Sequence, residues 1–235
     1  MSDSSQTPFS PVWEAPPAPP LGADGRHLWL IELDRMPGRP ETLAADEAAR
    51  AARLLGDGPR ARFVAARGAL RAILAGYCGA APGDLRFVYG PHGKPSLAFP
   101  GVSWGFNLTH SGGVALLAVS GRGAVGVDLE PLRELPDALR IGRRMFAPAV
   151  LEGLAQAPPD QRSAAFLRAW TVLEACVKLR GGGVFQPELA ESPPCHPLHL
   201  QPLPGWLACV ALPEPHEAGE WRCFRYENSR SRPTG

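Results

Sequence analysis

A short segment near the middle of the 235-residue chain, VGVDLE at residues 125–130, most constrains the fold. Two valines around a glycine are typical of a buried strand, and the segment then ends in Asp128 and Glu130. Side chains alternate between the two faces of a strand, so both carboxylates point to the same side. Taken alone, the segment favours a solvated strand end before a turn. The alternative is a site for a hard divalent cation such as Mg²⁺, because like charges this close repel unless a positive charge lies between them.

The composition is that of a globular protein, with 45% hydrophobic and 20% charged residues. The formal net charge of +1 argues against a nucleic-acid binder, which usually carries a basic face and a high pI. No apolar run is long enough to cross a bilayer, so we expect no membrane partner. The first twenty residues lack the basic and apolar regions of a signal peptide, and we expect a cytoplasmic location.

The cysteines are odd in number and irregularly spaced: Cys78, Cys176, Cys195, Cys209 and Cys223. This pattern favours reduced thiols over a disulfide framework. Cys195 and His196, with His199, suggest zinc ligands, but no second segment with paired ligands completes a site with four ligands. We therefore expect a proline-rich loop at this position.

Periodicity and breaker residues predict the main elements. Strands are predicted at residues 27–33, 84–90, 105–111, 113–120, 206–212 and 220–227. Helices are predicted at residues 44–55, about 60–77, about 136–156 and 164–180. The strand at 113–120 is expected to form a hairpin with residues 124–130. The helix at 164–180 is the strongest of these predictions, and glycines 181–183 suit its C-terminal end.

The order strand–helix–strand–strand, then helix–helix–strand–strand, predicts an α+β protein. Two similar α+β lobes within one chain would explain this order, although the sequence contains no convincing repeat. The expected divisions are a poorly ordered proline-rich leader at 1–25, lobes at 26–124 and 125–228, and a tail at 229–235.

The helix at 164–180 places Trp170, Glu174 and Lys178 four residues apart, so they share one face. The simple interpretation is a Glu–Lys pair on the surface. However, the tryptophan on the same stripe indicates that this face is at least partly buried. A buried carboxylate needs a partner, and a metal ion is one candidate.

Other polar residues are individually weak signals. Thr109 and His110 precede an apolar strand, and a lone histidine is more often structural than a ligand. Lys94 lies in a turn between Gly93 and Pro95, where an exposed loop lysine is the simplest interpretation.

Two basic stripes lie on the predicted helices near the N-terminus. Arg50 and Arg53 are about one turn apart on the first helix, and the second helix carries Arg62, Arg67 and Arg71. Taken alone, both stripes are expected to be solvated helix faces.

Four motifs follow one another along the chain: GKP, NLTHS, GVDLE and WTVLEACVK. Together they resemble the 4'-phosphopantetheinyl transferase superfamily, in the long single-chain type that activates nonribosomal peptide and polyketide synthases for secondary metabolism. The family's strand motif, G-[IV]-D-x-E, is complete at residues 126–130. Its helix motif, W-x-x-K-E-[AS]-x-x-K, departs at one position, where Leu173 replaces a lysine. The resemblance covers roughly residues 27–225.

The resemblance implies a set of metal ligands and a reaction. Asp128, Glu130 and Glu174 would bind Mg²⁺ at the pyrophosphate of coenzyme A. A serine of an apo acyl or peptidyl carrier protein would attack the β-phosphorus, take the 4'-phosphopantetheine arm and release 3',5'-ADP. Lys178 would contact phosphate, and Glu174 would help to deprotonate the serine directly or through water. Glu130 and a bound water remain alternatives for the base.

The resemblance also implies a coenzyme A site and a partner. The residues implied near its 3'-phosphate and adenosine are Lys94, Thr109 and His110, with Arg50, Arg53 and Arg62 near the same phosphates. The carrier protein is expected to be an acidic helical domain. The enzyme is expected to be a monomer with two lobes related by a pseudo-twofold axis and the active site in the cleft between them.

Leu173 cannot supply the charge of the family's lysine. If that lysine serves the substrate or the partner surface, we expect coenzyme A or the carrier protein to bind differently here. Two other functions remain open from the sequence. One is a non-catalytic coenzyme A or carrier-protein binding module of the same fold. The other is an unrelated metal-dependent phosphodiesterase that uses the same carboxylates on water.

Overall fold

A computed structural model describes residues 8–16, 20–98, 102–182 and 195–227. Its strands are β1 (Arg26–Glu32), β2 (Phe87–Tyr89), β3 (Pro95–Leu97), β4 (Gly105–Ser111), β5 (Val114–Ser120), β6 (Gly126–Pro131), β7 (His196–Leu200), β8 (Trp206–Leu212) and β9 (Arg222–Arg225). Its α-helices are α1 (Ala45–Ala52), α2 (Asp57–Cys78), α3 (Ala138–Met145), α4 (Pro148–Gln156) and α5 (Arg162–Leu179). None of the described helices is long and apolar enough to cross a membrane.

The strands form two main sheets and a small hairpin. The first sheet has the order β4-β5-β1-β9, the second has the order β6-β8-β7, and β2 pairs with β3. All neighbours are antiparallel except β1 and β9, which are parallel. The α+β prediction is confirmed. Because β9 lies near the end of the chain and pairs with β1, the first sheet contains strands from both ends of the sequence. The lobe boundaries and the pseudo-twofold relation stay predictions.

The predicted hairpin between residues 113–120 and 124–130 is wrong. β5 lies between β4 and β1, so both of its edges are already paired. β6 instead begins the second sheet, where it pairs with β8. Sequence proximity suggested the hairpin, whereas the complete burial of β5 favours a central strand.

Helices and sheets stack in four layers. Trp29 and Ile31 of β1 pack with α2 in one apolar cluster. Leu28 and Leu30, on the opposite face of β1, pack against the second sheet. The far side of that sheet, at Cys209, packs against α5. Each large apolar side chain buried in these layers contributes about 1.5–3 kcal/mol, and the two sheets thereby fix α5 relative to β6.

α5 confirms the prediction of a helix at 164–180. Its 18 residues contain no glycine or proline. After the helix ends, Gly181 adopts φ 75°, a left-handed conformation that glycine takes without strain. The amide of Gly182 then donates to the carbonyl oxygen of Val177, which closes the C-terminal turn.

The arginines of α2 do not form a solvated stripe. Arg71 is 1% exposed and Arg67 is 9% exposed. Both guanidinium groups bind Glu47 of α1, and Arg71 also donates to the carbonyl oxygens of Pro82 and Leu85, each at 2.9 Å. The helical spacing located the stripe, but only tertiary packing shows that this face points inward.

Part of the proline-rich leader makes defined contacts. Phe9 pairs with Leu200, and Glu14 pairs with Phe224, both in parallel. The Trp13 indole N–H donates to the carbonyl oxygen of Pro202 at 3.0 Å. Residues 8–16 therefore run beside β7 and β9, which are edge strands of the two main sheets.

The prediction of reduced thiols is wrong for one pair. Cys176 of α5 and Cys195 form a disulfide with a Cα–Cα distance of 6.0 Å. Among the described residues the other cysteines, Cys78, Cys209 and Cys223, are free. The expected loop is also corrected, because His196 and His199 lie in β7, which pairs with β8.

Candidate active site

The glycine of the strand motif allows β6 and α5 to approach closely. A Cβ added at Gly126 would overlap the carbonyl oxygen of Ala175 and the amide nitrogen of Leu179. Val127 and Leu129 pack on the other side, toward the first sheet. The alternation along β6 therefore directs Asp128 toward α5, and the missing side chain at position 126 brings the helix within reach.

A compact polar cluster forms where these elements meet. Lys178 Nζ lies 2.6 Å from Asp128 Oδ1 and 3.8 Å from Glu174 Oε2. Thr109 of β4 joins the cluster, since its hydroxyl oxygen lies 3.3 Å from both Asp128 Oδ1 and Lys178 Nζ. The structure thus brings together residues from three of the four sequence motifs.

The two carboxylates of this cluster are buried and only partly satisfied. Asp128 is 5% exposed and Glu174 is 4% exposed. Asp128 Oδ2 and Glu174 Oε1 are buried without a hydrogen-bond donor. Burial raises the pKa of Glu174, Lys178 lowers it, and the charges of Asp128 and Glu130 raise it further. A buried carboxylate oxygen without a partner is costly, so binding of another positive group would stabilise the cluster.

Glu130, the third predicted ligand, has an arginine partner. Its Oε2 accepts a hydrogen bond from Arg133 at 2.7 Å. Across the described ranges, no three His, Cys, Asp or Glu side chains lie together as a metal site. The two orphaned oxygens of Asp128 and Glu174 nevertheless suit a hard cation, because Mg²⁺ takes oxygen ligands and completes its shell with water and phosphate.

Lys94 contacts the backbone at the end of α5 and the start of β6, the two elements that carry the carboxylates of the cluster. Its ammonium donates to the carbonyl oxygens of Val125, Lys178 and Leu179, at 2.9, 2.6 and 3.3 Å. Burial lowers the pKa of Lys94 to about 8. The interpretation as an exposed loop lysine is therefore wrong, and the described contacts of Lys94 are with the protein backbone.

A buried amide connects the two main sheets at the same place. Asn107, which is 5% exposed, accepts a hydrogen bond from the amide of Val127 at 2.8 Å. β4 and β6 are edge strands of different sheets, so Asn107 takes the place of a strand partner. Sequence reasoning missed this role. The signal available was an amide side chain at a position where an apolar residue is usual.

A basic group lies next to the cluster, around His110. Loss of water around its imidazole lowers the pKa of His110, and the charges of Lys178, Arg50 and Arg62 lower it further. Arg62 is held by Asp34 through two hydrogen bonds of 2.7 and 2.9 Å. Arg50 and Arg62 therefore lie near enough to His110 for their charges to act on its imidazole.

Two other residues of the predicted set lie outside this group. Arg53 is exposed at the end of α1 and is not among the described contacts of the cluster. Trp170 packs face to face on Phe166, with ring centroids 5.9 Å apart. Leu173 is buried at 8% exposure, so the side chain that replaces the family's lysine faces the protein interior.

Comparisons with known proteins agree with the motifs. Residues 124–199 match the profile of the 4'-phosphopantetheinyl transferase superfamily. The chain is 40% identical over 207 residues to the 4'-phosphopantetheinyl transferase HetI of Nostoc sp., covering 85% of this chain and 87% of the relative. It is 36% identical over 161 residues to a putative 4'-phosphopantetheinyl transferase of Synechocystis sp., covering 67% and 65%.

A third relative is more distant. The chain is 30% identical over 119 residues to a 4'-phosphopantetheinyl transferase of Bacillus subtilis, covering about half of each protein. The strand and helix that carry Asp128, Glu174 and Lys178 lie inside the segment that matches the family profile. The chain belongs to the 4'-phosphopantetheinyl transferase superfamily, as a 4'-phosphopantetheinyl transferase of the long type.

Proposed function

We propose that this enzyme transfers the 4'-phosphopantetheine arm of coenzyme A to a serine of an apo acyl or peptidyl carrier protein, in a reaction that depends on Mg²⁺. One observation carries the proposal: two buried carboxylates, Asp128 and Glu174, each leave an oxygen without a donor beside a single lysine. Such an arrangement is costly in the free protein and becomes favourable when a cation binds.

Asp128 and Glu174 would hold the metal ion through their orphaned oxygens. Glu130 would become the third ligand by giving up its hydrogen bond with Arg133 and binding the metal ion instead. The side chain of Arg133 is partly exposed and therefore free to move. Mg²⁺, when bound, supplies charge that neutralises and orients the pyrophosphate of coenzyme A.

Lys178 has a second role in the proposal. Its ammonium is the positive partner of Asp128 in the free protein. A lysine side chain carries a mobile point charge, so Lys178 would turn toward phosphate once another cation serves the carboxylates. There it would stabilise the negative charge that develops during transfer.

The basic group around His110 would bind the other phosphate of coenzyme A. Arg50 and Arg62 lie close enough to lower the pKa of His110, so the two guanidinium groups would supply the positive potential beside a mostly neutral imidazole. Thr109 contributes a hydroxyl beside Asp128. Arg53 would add charge at longer range from the end of α1.

The chemical step joins the serine oxygen to the β-phosphorus and breaks the bond from that phosphorus to the bridging oxygen, so 3',5'-ADP leaves. The serine proton passes to Glu174, directly or through water. In the metal-free protein, burial and the neighbouring carboxylates raise the pKa of Glu174, and a cation bound at its orphaned oxygen would lower it. The remaining contribution of the protein is positioning.

The test uses the purified protein with Mg²⁺, coenzyme A and an apo carrier protein, followed by intact-mass spectrometry of the carrier. Wild type should add one phosphopantetheine, and removal of Mg²⁺ by chelation should abolish the addition. Glu174→Ala should be inactive. Glu152→Ala, which removes an exposed glutamate of α4, is the matched control and should keep full activity.

Failure to modify any of several acidic helical carriers, despite measurable coenzyme A binding, would contradict the proposal. Gel filtration tests the proposed monomer. The cytoplasmic location and the service to secondary metabolism also stay predictions.

A further inference from the structure

The ammonium of Lys94 is fully used by the protein. A lysine has three N–H donors. The structure provides three carbonyl acceptors, from Val125, Lys178 and Leu179, at 2.6–3.3 Å. No donor is left for a phosphate while these bonds are in place. Cδ of Lys94 also lies 4.0 Å from the position of a Cβ at Gly181, so the side chain runs beside the turn that ends α5.

The three acceptors belong to elements that carry the reaction residues. Lys178 and Leu179 are the last residues of α5, where helix carbonyls lack intrahelical partners. Val125 immediately precedes β6, three residues before Asp128. Lys94 itself sits in the turn of the β2–β3 hairpin, with its carbonyl bound by the amide of Gly90 at 2.9 Å. One ammonium therefore connects a hairpin, a helix end and a strand start.

The contact with Lys178 is the most direct link to the site. Lys94 binds the backbone carbonyl of Lys178, while the side chain of Lys178 binds Asp128 Oδ1 at 2.6 Å. Glu174 lies one helical turn before Lys178 on the same face. A small movement of the end of α5 would therefore change the distances from Lys178 and Glu174 to Asp128 together.

We infer that Lys94 is a positioning residue, whose ammonium holds the end of α5 against the start of β6 and so sets the spacing of Glu174 and Lys178 from Asp128. This inference rests on the proposed function for the roles of those three residues. It differs from direct contact with coenzyme A, which the resemblance implied for Lys94.

Two substitutions separate positioning from phosphate binding. Lys94→Met keeps the length and removes all three donors. Lys94→Arg keeps the charge, and a guanidinium binds phosphate at least as well as an ammonium does. The guanidinium of this variant, however, cannot direct its planar N–H groups at the three converging carbonyls that the ammonium binds. Positioning predicts that both variants are impaired, whereas phosphate binding predicts that Lys94→Arg is nearly normal.

The measurements are kcat and KM for coenzyme A, together with Mg²⁺ and coenzyme A affinities by calorimetry. We expect kcat to fall and Mg²⁺ affinity to weaken by about 10–100-fold in both variants, as for residues that orient metal ligands. Measured without Mg²⁺, where Lys178 stays on Asp128, the coenzyme A dissociation constant should change less than about twofold. A large loss of coenzyme A affinity in Lys94→Met, with kcat retained and Lys94→Arg normal, would overturn the inference, as would two fully active variants.

Hydrogen exchange in the metal-free protein gives a readout that needs no activity. The amides of residues 176–182 should exchange at least tenfold faster in Lys94→Met than in wild type, and unchanged exchange would overturn the inference. If wild type modifies no carrier, the proposed function fails, but exchange and Mg²⁺ affinity still test the role of Lys94. If Lys94→Met does not fold, the same measurements on Lys94→Arg decide.

Discussion

Two buried charge clusters of this enzyme differ in how completely they are satisfied. Glu47 is 2% exposed, and both its oxygens accept hydrogen bonds, from Arg67, from Arg71 at 2.6 Å and from the amide of Ala44 at 2.9 Å. The cluster on α5 and β6 is buried to a similar degree, but two of its carboxylate oxygens lack a donor. Burial alone therefore does not mark a functional site, and the incomplete satisfaction of the second cluster is what supports its proposed role.

The balance of charge reinforces the difference. One carboxylate meets two guanidinium groups in the first cluster, and their remaining N–H groups reach backbone carbonyls and the hydroxyl of Tyr89. Both guanidinium groups also lie over the ring of Phe87, at 4.9 and 5.1 Å. In the second cluster two buried carboxylates share Lys178. The first cluster is complete as folded, and the second is short of positive charge.

The largest expected effect comes from the incomplete cluster. Glu174→Gln should lower kcat by about 10²–10³-fold, because it removes the charge that we propose binds the metal and accepts the proton. Stability of the metal-free protein should stay the same or rise, since a buried carboxylate without a full set of partners disappears. Holo-carrier formation and urea unfolding measure the two effects. An active Glu174→Gln enzyme, within about tenfold of wild type, would break the comparison.

The complete cluster should behave in the opposite way. Glu47→Gln leaves two buried guanidinium groups without their carboxylate, and loss of one partner from a buried ion pair costs about 3–5 kcal/mol. We expect a lower urea midpoint, with kcat of the remaining folded enzyme within a few-fold of wild type. A stability loss under about 1 kcal/mol would show that the cluster is not the structural anchor that its contacts indicate.

A third buried polar group, on β1, predicts a pH effect. His27 is 3% exposed and its Nδ1 lies 2.6 Å from the hydroxyl of Tyr77, which also accepts the indole N–H of Trp29 at 2.9 Å. Burial, and then the charge of Arg222, lower the pKa of His27 from 6.5 to about 4. The folded protein thus binds fewer protons than the unfolded chain between these values, so stability falls as the pH drops through this window.

The shift corresponds to about 3 kcal/mol when the pH reaches the lower value. Urea unfolding of wild type and His27→Phe across this pH range measures it. His27→Phe lacks the hydrogen bond to Tyr77 at neutral pH. Its free energy of unfolding should also lack the decrease that protonation of His27 causes over this pH range. Parallel pH profiles would contradict the prediction.

Local regularities made part of this architecture predictable. The four-residue spacing placed Glu174 and Lys178 on one face of α5, and strand alternation placed Asp128 on the side of β6 that faces the helix. The resemblance added the identity of the site, and Gly126 now has a physical reason in the close approach of α5. The spacing and the alternation depend on residues that are near one another in sequence, whereas the approach of α5 to Gly126 joins distant segments.

Long-range packing decided what could not be predicted. Lys94 binds a carbonyl 84 residues away, and no local pattern indicates that partner. Arg71 belongs to a stripe of arginines on one helix face, a pattern that is normally solvated. It is buried because Glu47 and two carbonyl oxygens accept its N–H groups. β5 turned out to be flanked by β1 and β4, which removed the expected hairpin. These three failures concern a choice among partners, whereas the loop expected at His196 and His199 was wrong in element type, because both residues lie in β7.

The smallest predicted effect, stabilisation by Mg²⁺, directly tests whether the cluster on α5 and β6 is short of positive charge. Mg²⁺ should stabilise the metal-free wild type by about 2.7 kcal/mol at a concentration 100 times its dissociation constant. Asp128→Asn and Glu174→Gln should lose most of this gain, because each removes an oxygen ligand with its charge. Glu47→Gln should show the same gain as wild type from a lower starting stability, since its cluster is not part of the metal site. Urea unfolding with and without Mg²⁺ measures all four proteins. Equal stabilisation of Glu174→Gln and wild type would mean that the ion binds elsewhere, and the orphaned oxygens would then need another partner.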